Sequence, residues 1–223
     1  MNPRLASFLS WLVTLLTPVA LILVVARLVL TPLFPQIEYR MPGFPPDDYG
    51  FTTQDRIKWS GYAWHYVLSS EKTSYLGDLR FADGSPVFNE RELSHMDDVQ
   101  RVAHGAFSVL GVVLAVLIGL GIYARYGGWL KSYFRGLRRG GWAMVWIIAV
   151  LGLFMLVSFW NFFTVFHEVF FQGNSWLFEF SDTLIRLFPL RFWQDVFLSV
   201  MGLMLLAGLL LGLLVKPNRF SGV

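Results

Sequence analysis

VAHGAFSVLGVVLAVLIGLGIY (102–123), ARYGGWLKSYFRGLRRGG (124–141) and WAMVWIIAVLGLFMLVSFWNFF (142–163) follow one another without interruption, and their reading decides the fold. A helix needs about 20 apolar residues to cross ~30 Å of hydrocarbon, and it satisfies its own backbone while doing so. The first and third stretches meet that length. The joint between them carries Arg125, Lys131, Arg135, Arg138 and Arg139 and no acid. A short basic connection between two apolar runs marks the cytoplasmic side of a membrane.

Working outward, Phe8–Leu30 and Val196–Val215 supply two further runs of spanning length. Hydrophobic residues make up 55% of the chain and charged residues 15%, values of a membrane protein rather than a soluble domain. The expected fold class is an all-α integral membrane protein: four transmembrane helices with a small mixed extracytoplasmic cap. The segments are helix 1 at 1–30, the cap at 31–101, helix 2 at 102–124 and a basic loop at 125–141. Helix 3 follows at 142–163, an aromatic loop at 164–195, and helix 4 with its tail at 196–223. Lys216 and Arg219 follow the last run, so both termini are expected in the cytoplasm. The first run is longer than a signal-peptide core and no small-x-small site follows it, which predicts an uncleaved anchor.

All 15 carboxylates and all 4 histidines lie within 31–104 and 164–195, so any chemistry belongs to the extracytoplasmic side. With no cysteine there are no disulfides, thiolate nucleophiles or thiolate metal ligands. The net charge of +3 follows the positive-inside pattern and carries no nucleic-acid meaning.

MPGFPPDDYG (41–50) cannot sustain a helix and predicts a turn-rich crossing of the membrane surface. Within 51–88, Asp83-Gly84 is a hairpin-type turn between LGDLRF and PVFN, predicting a short two- or three-stranded element. No internal repeat is visible, against an inverted-repeat transporter. Asn89 and Glu92 form a capping pair, after which Leu93, Met96 and Ala103 recur at helical spacing. This amphipathic helix is expected to run into helix 2, carrying His95. His104 lies nine residues on, about half a circle round and ~13 Å along, so the two cannot share a site.

FFTVFHEVFFQGNSWLFEF (162–180) places His167 and Glu168 among phenylalanines. Aromatic belts mark membrane interfaces, which suffices for Phe162, Phe163, Phe170 and Phe171 individually. An ionisable pair at that depth is costly and signals a partner or a function. Gly173-Asn174 turns the chain, and DTLIRLFP (182–189) reads as an amphipathic surface stretch. A zinc-protease pattern starting at His167-Glu168 fails because position 171 is Phe. Ser94 beside His95 and Ser175 after Asn174 lie in no serine-nucleophile motif, and no phosphate or calcium loop is present. What remains is His95 and His167, each at the outer boundary of a different helix and able to meet.

RELSHMDDVQ (91–100) and FHEVFFQGNSWLFEF (166–180), with the trailing D-x-LIRLFP and the four-helix plan, resemble the Lit family of bacterial lipoprotein intramolecular transacylases. The resemblance implies an enzyme of the bacterial cytoplasmic membrane acting on diacylated lipoproteins among membrane lipid. It would move the sn-2 acyl chain of the diacylglyceryl group to the α-amino group of the N-terminal cysteine, giving the lyso form. It further implies His95 and His167 as the catalytic pair and no cofactor.

Residue chemistry is compatible with this. An α-amine of pKa ~7.7–8.0 is largely protonated at neutral pH and needs a base, for which histidine is suited. A second histidine can donate to the ester oxygen as charge develops. His167 is favoured as base because Glu168 and the aromatic surroundings can tune it. Glu92 and Asp98, three residues either side of His95, are candidates to orient its ring; Arg27, the lone charge in its run, is a candidate head-group ligand. Asn174 and Trp176 are candidates to line the site, while His65 and His104 read as structural. Two readings of other classes stand beside this one: axial ligation of a b-type haem by the histidine pair, or a non-catalytic scaffold with an aromatic binding rim. Oligomeric state is left open.

Overall fold

In the computed structural model, residues 1–171 and 173–217 are described. They form α1 (Pro3–Val29), α2 (Leu33–Glu38), α3 (Thr53–Leu68), α4 (Ser74–Gly77), α5 (Glu90–Tyr126), α6 (Leu130–Val157), α7 (Phe159–Phe170), α8 (Thr183–Leu187) and α9 (Leu190–Leu214). Four of them, α1, α5, α6 and α9, are long and apolar enough to cross a membrane. No strand forms among the described residues. Arg219 lies outside them. The chain divides into two compact units: Met1–Leu28 with Ala106–Val157 and Leu198–Val223, and Val29–Gly105 with Ser158–Phe197.

Inside the first unit, helices approach closely because one face of α6 is glycine. Gly136 leaves no room for a Cβ, which would stand 2.6 Å from the Ser10 carbonyl oxygen, and Gly140 meets Thr17 in the same way. A Cβ on Gly141 would stand 2.7 Å from the carbonyl oxygen of Gly208 on α9. Hydroxyls near these contacts turn onto carbonyls rather than onto lipid: Ser10 donates to Ser132 O (2.5 Å) and Thr14 to Ser10 O (2.9 Å). Without water, such internal satisfaction is what makes polar side chains tolerable there. Val13, Ala20, Val113 and Leu117 fill the space between α1 and α5.

Three sequence expectations change here. The basic segment at 125–141 is a loop only around Gly127 and Gly128, where Gly128 takes φ +69 and Trp129 N–H reaches Ala124 O at 3.1 Å. From Leu130 onward it is helical, since Lys and Arg are good helix formers and hydropathy marks the edge of the lipid, not the end of the hydrogen-bonded backbone. Second, the apolar run 142–163 is not one helix. Ser158 breaks it with extended backbone (φ −159, ψ 102), and its hydroxyl accepts the Asn161 N–H, capping α7.

The third concerns the cap. TTQDRIKWSGYAWHYVL, from Thr52, folds as the helix α3, begun by a full capping box between Thr52 and Asp55, a signal the aromatic and charged mixture hid. The expected strands shrink to a single bridge, Arg80 with Pro86. The turn itself is where the sequence placed it: Gly84 takes φ +84 and Phe81 N–H pairs with Ser85 O at 2.9 Å. Pro86 has no N–H to extend the ladder. Tyr39, Trp64 and Phe192 form the apolar centre of this second unit.

Candidate active site

The site is built from the N-terminus of α5. Glu92 Oε2 accepts the Asn89 N–H (2.8 Å) while Asn89 Oδ1 accepts the Glu92 N–H (3.0 Å), the reciprocal cap expected from sequence. Glu92 Oε1 also accepts the Leu184 N–H at 2.6 Å, and Asn89 Nδ2 donates to Asp182 Oδ1 at 2.9 Å. One carboxylate thereby caps α5 and α8 together. Burial raises the Glu92 carboxyl to about 7, against the two N–H donors that favour its charge.

One turn further, His95 is 8% exposed, its ring edge-on to Phe171 (4.9 Å) and Phe178 (5.3 Å). His167, near the end of α7 and 6% exposed, lies against Phe163 (4.1 Å) and Trp176 (4.8 Å). The two imidazoles face each other nearly parallel, centroids 6.3 Å apart. His95 precedes the apolar part of α5, and α7 is no membrane span. Burial, then the neighbouring His167, lowers His95 to about 4. Burial also lowers His167, although the Phe163 carbonyl opposes it. Both rings are therefore neutral near pH 7.

The tautomers differ. His167 Nδ1 stands 2.8 Å from Phe163 O; a carbonyl only accepts, so Nδ1 carries the proton and Nε2 the free lone pair. His95 Nδ1 is enclosed without a partner among the described residues. An idle acceptor costs less than an orphaned N–H, which puts the His95 proton on Nε2. One ring offers an acceptor and the other a donor.

The candidate supporting residues divide. Trp176, 8% exposed, packs on His167. Both Glu92 carboxylate oxygens accept backbone N–H groups, so it fixes the helix that carries His95. Asp98 pairs with Arg101 instead of His95, because an exposed arginine three residues on competes successfully. Glu168 is exposed, and the group that holds the His167 ring by a hydrogen bond is the Phe163 carbonyl. Asn174 is exposed and serves the turn, its carbonyl accepting the Leu177 N–H at 3.1 Å. Arg27 belongs to the first unit, its guanidinium 5.2 Å over the Phe107 ring. His65 packs on Tyr75 (5.2 Å).

Sequence reasoning missed Phe163, Phe171 and Phe178 as walls of the pair, since one phenylalanine of a belt reads like another. It also missed a buried charge cluster. Asp47, from the proline-rich stretch, holds Arg186 (3.0 Å) and faces Arg56 (3.9 Å), while Arg56 Nε donates to Arg186 O at 3.0 Å. Burial alone would raise the Asp47 carboxyl; the Arg186 hydrogen bonds, the Phe51 N–H and the Arg56 charge outweigh it and leave it lowered.

Residues 7–193 match the family model described as lipoprotein intramolecular transacylase Lit. A protein of uncharacterized function from Aquifex aeolicus (strain VF5) is 31% identical over 185 residues, covering 83% of this chain and 82% of that one. The membrane-integral lipoprotein intramolecular transacylase Lit from Bacillus cereus has a similar structure. Its TM-score is 0.70 at 18% identity, over 98% of this chain and 94% of that one. A histidine-to-alanine variant of that enzyme gives 0.68 at 18% identity, over 99% and 100%.

Proposed function

This chain belongs to the Lit family, the lipoprotein intramolecular transacylases, and we propose that it moves the sn-2 acyl chain of a diacylglyceryl cysteine to that cysteine's α-amino group with His167 as base and His95 as donor. It is a membrane-integral enzyme, and family membership takes the place of the scaffold and electron-transfer readings. The observation that carries the residue assignment is the parallel histidine pair at 6.3 Å with complementary tautomers.

The substrate amine, once neutral, attacks the ester carbonyl carbon. A nitrogen–carbon bond forms, the carbonyl electron pair moves onto oxygen, and the amine proton passes to His167 Nε2. A positioned general base of this kind contributes about 10²- to 10⁴-fold. His95 Nε2–H donates to the oxygen as it becomes anionic, a contribution of roughly 3 kcal/mol in other acyl-transfer sites. Collapse breaks the bond to the glyceryl oxygen, which leaves with the proton from His167. Mass is unchanged: ester becomes amide and a hydroxyl is released. Amine and ester belong to one molecule, so binding has less translational entropy to remove. Phe163, Phe171, Phe178 and Trp176 keep water from competing for the ester. Family membership supports a bacterial cytoplasmic membrane location, and the charge distribution supports both termini inside with the histidines on the extracytoplasmic side.

The test is mass spectrometry of a diacylated N-terminal lipopeptide from a host lacking N-acylation enzymes, with this protein and its His95→Ala and His167→Ala variants. Transfer from glyceryl oxygen to cysteine nitrogen at constant mass by the intact protein alone is expected. A free amine despite good expression overturns the reading.

A further inference from the structure

The geometry points to Trp176 as a second hydrogen-bond donor to the carbonyl oxygen under attack, acting beside His95; this rests on the histidine-pair reading above. An indole N–H can only donate and is never lost to ionisation. Trp176 Nε1 is enclosed with no acceptor among the described residues. Leaving a buried N–H unpaired is costly, and native structures rarely carry such a donor without a use for it.

Trp64 and Trp129 also hold enclosed, unpartnered indoles, but their ring neighbours are Phe188, and Tyr123 with Tyr133. Trp176 differs because its ring lies 4.8 Å from the imidazole that takes the proton. An amine bound to His167 Nε2 lies about 3 Å from that nitrogen, and the carbonyl it attacks about 3 Å further. The indole packed on the same imidazole is the donor that this inference sets against that carbonyl oxygen. Among the described residues His95 Nδ1, and Ser175 Oγ beside Trp176 in the chain, are likewise enclosed without a partner.

An indole N–H accepts no proton, so it stabilises developing negative charge without competing with His167 for the amine proton. It therefore acts on the transition state more than on the bound ester, and its loss appears in kcat rather than KM.

The experiment compares full-length protein in lipid nanodiscs carrying tryptophan, Trp176→Phe, or 3-benzothienylalanine at position 176, an isostere without the N–H. Initial rates of O-to-N transfer on a diacylglyceryl-cysteine peptide are followed by mass spectrometry, with melting midpoints alongside. The isostere is expected to keep its midpoint and its KM within about twofold while kcat falls on the order of 10²-fold. A kcat within twofold of wild type overturns the inference, and so does a rise in KM at constant kcat. If Trp176→Phe fails to fold, the isostere decides alone. Wild-type protein that transfers nothing sinks the histidine-pair reading, and this inference falls with it, a result distinct from an active wild type beside an active isostere.

Discussion

The two units of this protein are held together by different physics. In the first, contact is a matter of shape: glycines on α6 admit Ser10, Val13 and Gly208 to distances no larger side chain allows. In the second, contact is a matter of pairing. Glu92 joins two helix starts, Asp47 joins two arginines, and Gln100 donates to the carbonyls of Tyr66 (2.8 Å), Ser69 (3.1 Å) and Glu71 (3.1 Å). The difference follows from solvent. Lipid offers helices no hydrophobic reason to associate, so close packing carries the association; at the water boundary, buried polar groups must find named partners.

The sharpest way to separate the units is His167→Ala, which removes the proposed base in the second without touching the packing of the first. We expect transfer to fall about 10²- to 10⁴-fold in a variant that still folds, read by the lipopeptide assay and thermal unfolding. A variant that keeps a tenth of wild-type rate would remove His167 from the chemistry.

Gly136→Leu attacks the other side of the comparison. Its Cβ would stand 2.6 Å from the backbone oxygen of Ser10, which cannot yield as a side chain would. Overpacking of this kind costs about 1–3 kcal/mol or more, seen as a lowered midpoint and poor recovery from the membrane. An unaltered midpoint would mean that glycine packing does not hold this unit.

Glu92→Ala strands the Asn89 and Leu184 N–H groups, at about 1–3 kcal/mol each. Hydrogen exchange is expected to speed up at both, with activity falling because His95 rides on the loosened turn. Unchanged protection at Leu184 would show that the tie between α5 and α8 is dispensable.

The pH profile tests burial of the pair. Lowered histidine pKa values mean that acid disables the base only below its ordinary 6.5, and His95 titrates at about 4. The rise of kcat/KM with pH should therefore follow the substrate amine, with its break near ~7.7–8.0. A histidine limb above 6.5 in the enzyme–substrate complex would argue for a solvated pair.

The smallest effect concerns Glu38, raised to about 7 by burial and by its hydrogen-bonded neighbour Asp195. A raised carboxyl contributes stability fully present below the unfolded value of ~4.5 and lost as pH climbs through about 7. Glu38→Gln stays neutral, so its midpoint should exceed wild type by a few degrees at pH 8 and match it at pH 5. Equal midpoints at both would place the Glu38 charge in water.

Legibility tracked the strength of local signals. The four apolar runs were plain because length and composition alone specify a membrane-spanning helix. Asn89 and Glu92 were plain because a capping box is a contact over three residues. The helix α3 was not, although Thr52 and Asp55 form the same box, because its apolar face is broken by aromatic and charged residues. The break at Ser158 was hidden for the reverse reason: a cap inside a continuous apolar run gives hydropathy no edge.

For the site, the sequence by itself determined which residues are candidates for the chemistry. A chain without cysteine, with 4 histidines in all, leaves few candidates for a base, and motif resemblance picked two of them. Tertiary structure decided everything that depends on a partner far along the chain: that Glu92 caps α8 across 92 residues, that Asp98 goes to Arg101, and that Trp176 rather than Asn174 lies against His167. It also decided the tautomers, through a carbonyl at 2.8 Å and an enclosed nitrogen without one. Composition and spacing report what a residue can do; which lone pair is free is a property of the neighbours that folding brings to it.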